Sequence, residues 1–259
     1  MGMPAQSNYR PLSNYLQTGL ISPERLFIRC PFSPFLVGHQ TTIMNKIYEV
    51  ILVLVPMILS LSVHEFAHAW SAHKLGDDTA KRQGRMTLNP LAHIDLIGTI
   101  VLPIILTIQG SGFFFGWAKP VPVNPTNFRR GISMRKGDIL TAVAGPFSNI
   151  IIAFIASGVI IGIMRFGLMA SSNPVLILLS RMFFINIALA VFNIIPVPPL
   201  DGHYLLPVEI QAKLRKYQMV VFIALIVAIN YFSTILAVPI LFLKNALVSF
   251  WSLIFVGGF

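Results

Sequence analysis

Long apolar runs are the feature that most constrains how this chain can fold. They lie at about 46–75, 139–164, 175–195, 218–236 and 238–255. A helix needs about 20 apolar residues to cross the hydrocarbon layer of a bilayer, and these runs approach or exceed that length. Only 11% of the residues are charged, against about a quarter in an ordinary soluble domain. The sequence therefore predicts an all-α polytopic membrane protein with about five spanning helices.

The remaining segments divide the chain further. A shorter apolar run, Leu96–Ile108, is interrupted by Pro103 and is doubtful as a full span. The stretch 116–136 carries prolines at alternate positions, which exclude a helix and favour an extended loop or edge strand. Residues 1–43 are rich in Pro, Ser, Asn and Gln and predict a poorly ordered extension. Residues 44–259 are then expected to form one membrane-embedded domain.

The charge and the cysteine content exclude some functions. The formal net charge is +10, but the Lys and Arg residues fall between apolar runs, where orientation in the membrane explains them. We therefore expect no binding to nucleic acid. The single cysteine, Cys30, can form neither an internal disulfide nor a thiolate zinc site. Any metal must be held by nitrogen and oxygen ligands.

The motif H-E-x-x-H occupies His64 to His68, towards the end of the first apolar run. On a helix His64 and His68 lie one turn apart on the same face, where two imidazole nitrogens can hold one Zn²⁺. Glu65 is next to them, close enough to take a proton from a water at the metal. Ionisable groups near the membrane interior are costly and indicate function. The alternative is that both histidines are hydrogen-bonded between helices.

A hydrolytic zinc site needs a third protein ligand and one open position. Asp201 directly follows an apolar run, prolines fix its approach, and Gly202 permits a tight turn behind it. Four other carboxylates lie beside basic residues or at helix ends, where solvated capping is expected. These are Asp77, Asp78, Asp95 and Asp138. The pattern favours Asp201 as the third ligand of one zinc ion.

Together the motifs resemble the site-2 protease family of intramembrane zinc metalloproteases. The resemblance rests on H-E-x-x-H at His64–His68, "GPFSN" at Gly145–Asn149 and "NIIPVPPLDG" at Asn193–Gly202, which occur in the family's order. It covers most of the chain after Met44. The chain is similar to a minimal form of the family, with no room for a PDZ or CBS module.

The resemblance implies roles for particular residues. By it His64, His68 and Asp201 are the zinc ligands, and Glu65 is the catalytic base. Asn193 helps to position water or the oxyanion. Asn149 either packs between helices through its amide or contacts the substrate.

The implied reaction is hydrolysis of a peptide bond in or near a transmembrane segment of a membrane-protein substrate, within the lipid bilayer. That segment must unwind first, because helical carbonyls are already hydrogen-bonded. Residues 119–124, "KPVPVN", either pair with the unwound strand or form a plain connection. The alternative function is a membrane metal transporter or metal-binding sensor that uses the same His/His/Asp site.

The ligand set also predicts a topology. His64 and His68 lie near the C-terminal end of their helix, and Asp201 lies just beyond the C-terminal end of its own, so both ends must face the same side. An even number of crossings must then separate them, which makes Leu96–Ile108 re-entrant. Most Lys and Arg residues fall on the side of these ends, and the positive-inside rule makes that side cytoplasmic. We therefore expect a plasma-membrane protein whose site faces the cytoplasm.

Overall fold

The computed structural model describes residues 43–109, 116–231 and 234–256. All of the predicted N-terminal extension except Ile43 lies outside these residues. The α-helices are α1 (Ile43–Leu75), α2 (Thr79–Arg82), α3 (Leu102–Ile108), α4 (Met134–Arg165), α5 (Pro174–Ile194), α6 (Val208–Lys216), α7 (Gln218–Tyr231) and α8 (Thr234–Val256). A π-helical stretch, Leu96–Val101, leads into α3, and three 3₁₀ turns lie at Pro90–Ala92, Pro125–Asn127 and Asp201–Leu205. The described residues contain no β-strand, so the predicted all-α class is confirmed.

Four described helices are long and apolar enough to cross a membrane, and the protein is an integral membrane protein. They are Met44–Leu75, Met134–Arg165, Pro174–Ile194 and Leu236–Phe255. The other predicted run, 218–236, is divided between α7 and the start of α8. Because α7 has 14 residues, it is about 21 Å long and shorter than the hydrocarbon layer. A span at this position stays a prediction.

Helices α1, α4 and α5 pack against one another and form the centre of the molecule. Small residues at their contacts, including the fully buried Ala69, Ala153 and Ala190, let the backbones approach closely. Helix α8 packs on the outer side of α4 and α5, where Val248 joins the buried apolar cluster around Phe183. The site described below lies among α1, α4 and α5, on the side away from α8.

Helix α1 ends where the sequence predicts. Gly76 has φ +113°, a conformation that glycine adopts without steric cost. Its N–H donates to His73 O at 3.0 Å, and the N–H of Asp77 donates to Ala72 O at 2.9 Å. These two bonds form a Schellman motif that satisfies the last carbonyls of the helix.

The two flanks of the Leu96–Ile108 segment meet each other. The N–H of Lys119 donates to His93 O at 2.9 Å, and the N–H of Trp117 donates to Gly98 O at 3.2 Å. The chain therefore leaves this segment beside the point at which it entered. Because residues 93–98 and 117–119 lie together, the stretch between them enters and returns at the same level, which supports the re-entrant prediction.

Asp77 corrects one expectation. The sequence predicted a solvated cap, but the residue is 1% exposed. Its carboxylate accepts hydrogen bonds from the hydroxyl of Thr79, the N–H of Asn124 at 2.7 Å, Nδ2 of Asn127 at 2.8 Å and the N–H of Thr79 at 3.1 Å. Burial alone would raise the pKa of Asp77, but these hydrogen bonds hold it below its ordinary value. Asp77 thus fastens the loop at 124–127 to the end of α1.

Candidate active site and metal centre

His64 and His68 lie one turn apart on α1, and both are buried. Their Nε2 atoms are 3.0 Å apart, and the two residues are 4% and 7% exposed. Gly145 of α4 lies directly against both rings. A Cβ at this position would overlap His68 Nε2 and lie 2.6 Å from His64 Cε1. The glycine of the "GPFSN" motif therefore lets α4 approach the histidine pair.

The other ring nitrogen of each histidine is bonded to α4. Nδ1 of His68 lies 2.7 Å from Thr141 O, and Nδ1 of His64 lies 2.7 Å from Asn149 Oδ1. A backbone carbonyl can only accept, so His68 Nδ1 carries a proton. With the amide oxygen of Asn149 facing His64, that ring carries its proton on Nδ1 as well. Both Nε2 atoms then present lone pairs to the same point.

Asp201 completes the cluster from the opposite side. Its Oδ2 lies 3.1 Å from His64 Nε2 and 3.3 Å from His68 Nε2. Gly202 permits this approach, since a Cβ there would overlap Ile194 O at the end of α5. The turn at Asp201–Leu205 therefore folds back tightly onto α5. The C-terminal half of α1 and the turn that follows α5 therefore meet at one site, the arrangement that the topology argument took as its premise.

The three donor atoms fit one zinc ion. His64, His68 and Asp201 can together hold a metal, and their ligand atoms are 3.0–3.3 Å apart. Tetrahedral zinc with bonds of about 2.0–2.1 Å separates its ligands by about 3.3 Å. Asp201 Oδ2 is buried and has no hydrogen-bond partner among the described residues. Two imidazoles and one carboxylate leave the fourth position open, as in hydrolytic zinc sites.

Glu65 is 8% exposed and is held by the backbone of the extended segment, residues 117–124. The N–H of Val121 donates to Glu65 Oε2 at 2.8 Å. Arg85 fixes the same segment, because its Nη2 donates to Lys119 O at 2.7 Å and to Pro120 O at 3.3 Å. One carboxylate oxygen of Glu65 therefore has a fixed position beside the histidine pair.

The two asparagines of the sequence prediction differ in position. Asn149 is fully buried, and its Oδ1 lies against the His64 ring. Asn193 lies with Asp201 and Gly202 in the lining of a small hollow, and its Nδ2 donates to Leu189 O at 3.0 Å. A substrate role for either residue stays a prediction.

Comparison with known proteins agrees with this geometry. A model of peptidase family M50 matches residues 156–237, which include Asp201. YwhC of Bacillus subtilis, named as a candidate zinc metalloprotease, is 39% identical over 183 residues, 67% of this chain and 78% of the relative. The chain belongs to peptidase family M50, the site-2 protease family.

Further relatives match over a smaller share of both chains. Rip2 of Mycolicibacterium smegmatis, also named as a candidate zinc metalloprotease, is 27% identical over 157 residues, 59% of this chain and 55% of the relative. Rip2 of Mycobacterium tuberculosis is 26% identical over 162 residues, with the same shares covered. No solved structure gives a significant match to the chain.

Sequence reasoning missed the groups that support the site. Asn186 and Ser60 are fully buried behind His64, and the N–H of Val121 reaches Glu65 from a loop. Polar residues within apolar helices were the available signal for the first two. Nothing in the sequence marks one backbone N–H among many, so the contact at Glu65 needed the structure.

Proposed function

We propose that the protein is an intramembrane zinc metalloprotease that cleaves a peptide bond in or near a transmembrane segment of a membrane-protein substrate. His64, His68 and Asp201 are the zinc ligands, and Glu65 is the general base. The observation that carries the proposal is the convergence of three lone-pair donors beside a fixed carboxylate, inside a bundle of membrane helices. The names of the relatives support the same activity.

The chemistry follows from the residues. Zinc, when bound, supplies a Lewis acid that lowers the pKa of water to about 7 and polarises a carbonyl. Glu65 takes the proton of the attacking water as the new carbon–oxygen bond forms. It then gives that proton to the leaving amine as the carbon–nitrogen bond breaks. Asn193, which lies with Asp201 in the lining of the hollow, supports the oxyanion of the substrate carbonyl.

The extended segment positions Glu65 and is poorly suited to pair with a substrate strand. The N–H groups of Lys119 and Val121 are already bonded to His93 O and Glu65, and Pro120 and Pro122 have no N–H. Few donors are left for a β-ladder. We therefore assign this segment to the base rather than to strand addition.

Glu65→Gln tests the function most simply. The change removes the base and spares the three ligands, so cleavage of a panel of single-span substrates falls at least about 100-fold, while one zinc per chain stays bound. Glu209→Gln is the matched control, since Glu209 is exposed on α6 and should leave both quantities unchanged. Retained cleavage in folded Glu65→Gln would reject the base. Loss of zinc would make Glu65 a ligand and favour a metal transporter or sensor.

We further propose that the protein lies in the plasma membrane with the site near the cytoplasm. The hydrogen bonds of Asp77 hold the end of α1 and the 124–127 loop together, so both belong to one side. Single cysteines at Asp78 and Thr126, in a Cys30→Ser background, should react with an impermeant thiol reagent from the cytoplasmic side only. Labelling of the two positions from opposite sides would contradict the re-entrant topology, and labelling of both from outside would reverse the orientation.

A further inference from the structure

Three polar side chains lie behind the His64 ring, and all are 0% exposed. They are Ser60 of α1, Asn149 of α4 and Asn186 of α5. Asn149 Nδ2 lies 2.8 Å from Asn186 Oδ1, Asn186 Nδ2 lies 2.7 Å from Ser60 Oγ, and Ser60 Oγ lies 2.6 Å from Pro56 O. A continuous series of hydrogen bonds, the Ser60–Asn186–Asn149 relay, thus runs from a backbone carbonyl of α1 through two helices to His64.

The hydrogen bonds of this relay can run in only one donor-to-acceptor direction. The carbonyl of Pro56 accepts and cannot donate, so the single hydroxyl proton of Ser60 points to it. Ser60 Oγ must then accept from Asn186, which fixes the amide nitrogen of Asn186 on that side. Met182 O, 2.8 Å from the same nitrogen, fixes it independently.

The direction passes on to the histidine. With its nitrogen towards Ser60, Asn186 presents its oxygen to Asn149, and Asn149 must turn its own nitrogen towards Asn186. Ser60 O, at 3.5 Å from Asn149 Nδ2, agrees with this orientation. The oxygen of Asn149 therefore faces His64 Nδ1 and accepts its proton, which leaves the Nε2 lone pair for the metal.

We propose that Asn186 is a positioning residue, which sets the ring orientation and the tautomer of His64 by orienting Asn149. The inference rests on the proposed assignment of His64 as a zinc ligand. Without the oxygen of Asn186, Asn149 can rotate and present its amide nitrogen to His64 Nδ1. That contact favours the proton on Nε2, where it excludes the metal.

Zinc affinity, measured by competition with a chelator, tests the proposal without an activity assay. Asn186→Leu keeps the approximate volume and removes the acceptor, so zinc affinity should fall about 10-fold to 100-fold, the usual cost of losing a group that orients a ligand. Asn186→Asp keeps an oxygen towards Asn149, and as a neutral acid it still donates to Met182 O. We expect Asn186→Asp to bind zinc within about 3-fold of the wild type, clearly less than the loss of about 10-fold or more expected without the acceptor.

Ser157→Ala is the matched control for the loss of a buried polar group from the bundle. Ser157 is fully buried on α4, but it bonds only to Phe154 O among the described residues, so zinc affinity should not change. If Asn186→Leu does not fold, Asn186→Ala replaces it, with the zinc-dependent rise in thermal stability as the readout. A folded Leu or Ala variant with wild-type zinc binding would overturn the proposal, as would an Asp variant as weak as Leu.

His64→Ala separates this inference from the proposed function. Loss of zinc in His64→Ala together with wild-type binding in Asn186→Leu would reject the relay and keep the ligand assignment. Undiminished zinc binding in His64→Ala would reject the ligand assignment, and the relay with it.

Discussion

The region around α1, α4 and α5 differs sharply from the C-terminal helix α8. Half of the apolar, membrane-spanning stretch of α1 is buried inside the protein, against 6% of the corresponding stretch of α8. Fully buried polar groups, such as Asn149 and Asn186, occur in the first region. Among the side chains that the structure describes, no polar residue after His203 is buried. The first region is constrained by the site that it must hold, and the second by apolar packing and lipid.

Helix α4 belongs to both regions and allows the comparison to be made within one element. In its N-terminal half Gly145 touches the histidine pair, and farther along Gly158 touches Trp251 of α8. The same substitution at each glycine should therefore have effects of different kinds.

Gly145→Ala should have the larger effect. The added methyl group overlaps His68 Nε2, so at least one ring must leave its position, and zinc affinity should fall about 100-fold. Gly162→Ala is the control in the same helix, since its Cβ would lie 3.8 Å from Phe255, an ordinary contact. Equal zinc affinity in the two variants, measured by chelator competition, would show that the site tolerates the movement of α4 and would remove the contrast.

Gly158→Ala should act on stability alone. Its Cβ would lie 2.6 Å from Trp251 Cε2, and overpacking of this kind costs about 1–3 kcal/mol. Thermal unfolding in detergent should show the loss, while zinc affinity stays at the wild-type value. A fall in zinc affinity as large as that of Gly145→Ala would show that the two regions are coupled along α4.

The sequence was sufficient for the parts of the site that depend on local spacing. His64 and His68 face one point because they are four residues apart on a helix. Asp201 was favoured because it directly follows an apolar run, prolines fix its approach and Gly202 permits a tight turn behind it. Because an even number of membrane crossings must separate the ligands, the Leu96–Ile108 segment has to return to the side from which it enters. The contact of Lys119 with His93 agrees with this.

The remaining features depend on how the helices are rotated against each other. The contact of Asn186 with Asn149 depends on how α5 is rotated about its axis against α4, and many other rotations would place the Asn186 amide in a different contact. Asp77 was misassigned because its basic neighbours suggested solvent, whereas a loop 47 residues later covers it. Long-range contacts of single polar groups cannot be obtained from the spacing of residues along one helix.

Zinc K-edge X-ray absorption of the purified protein tests the central claim most directly. The account predicts one zinc with two imidazole nitrogens and oxygen ligands at about 2.0–2.2 Å, and no sulfur at about 2.3 Å. Asp201→Ala should keep the imidazole signal, lose one oxygen and bind zinc more weakly. A sulfur ligand from Cys30, or an Asp201→Ala protein with unchanged ligands and affinity, would contradict a site built from His64, His68 and Asp201.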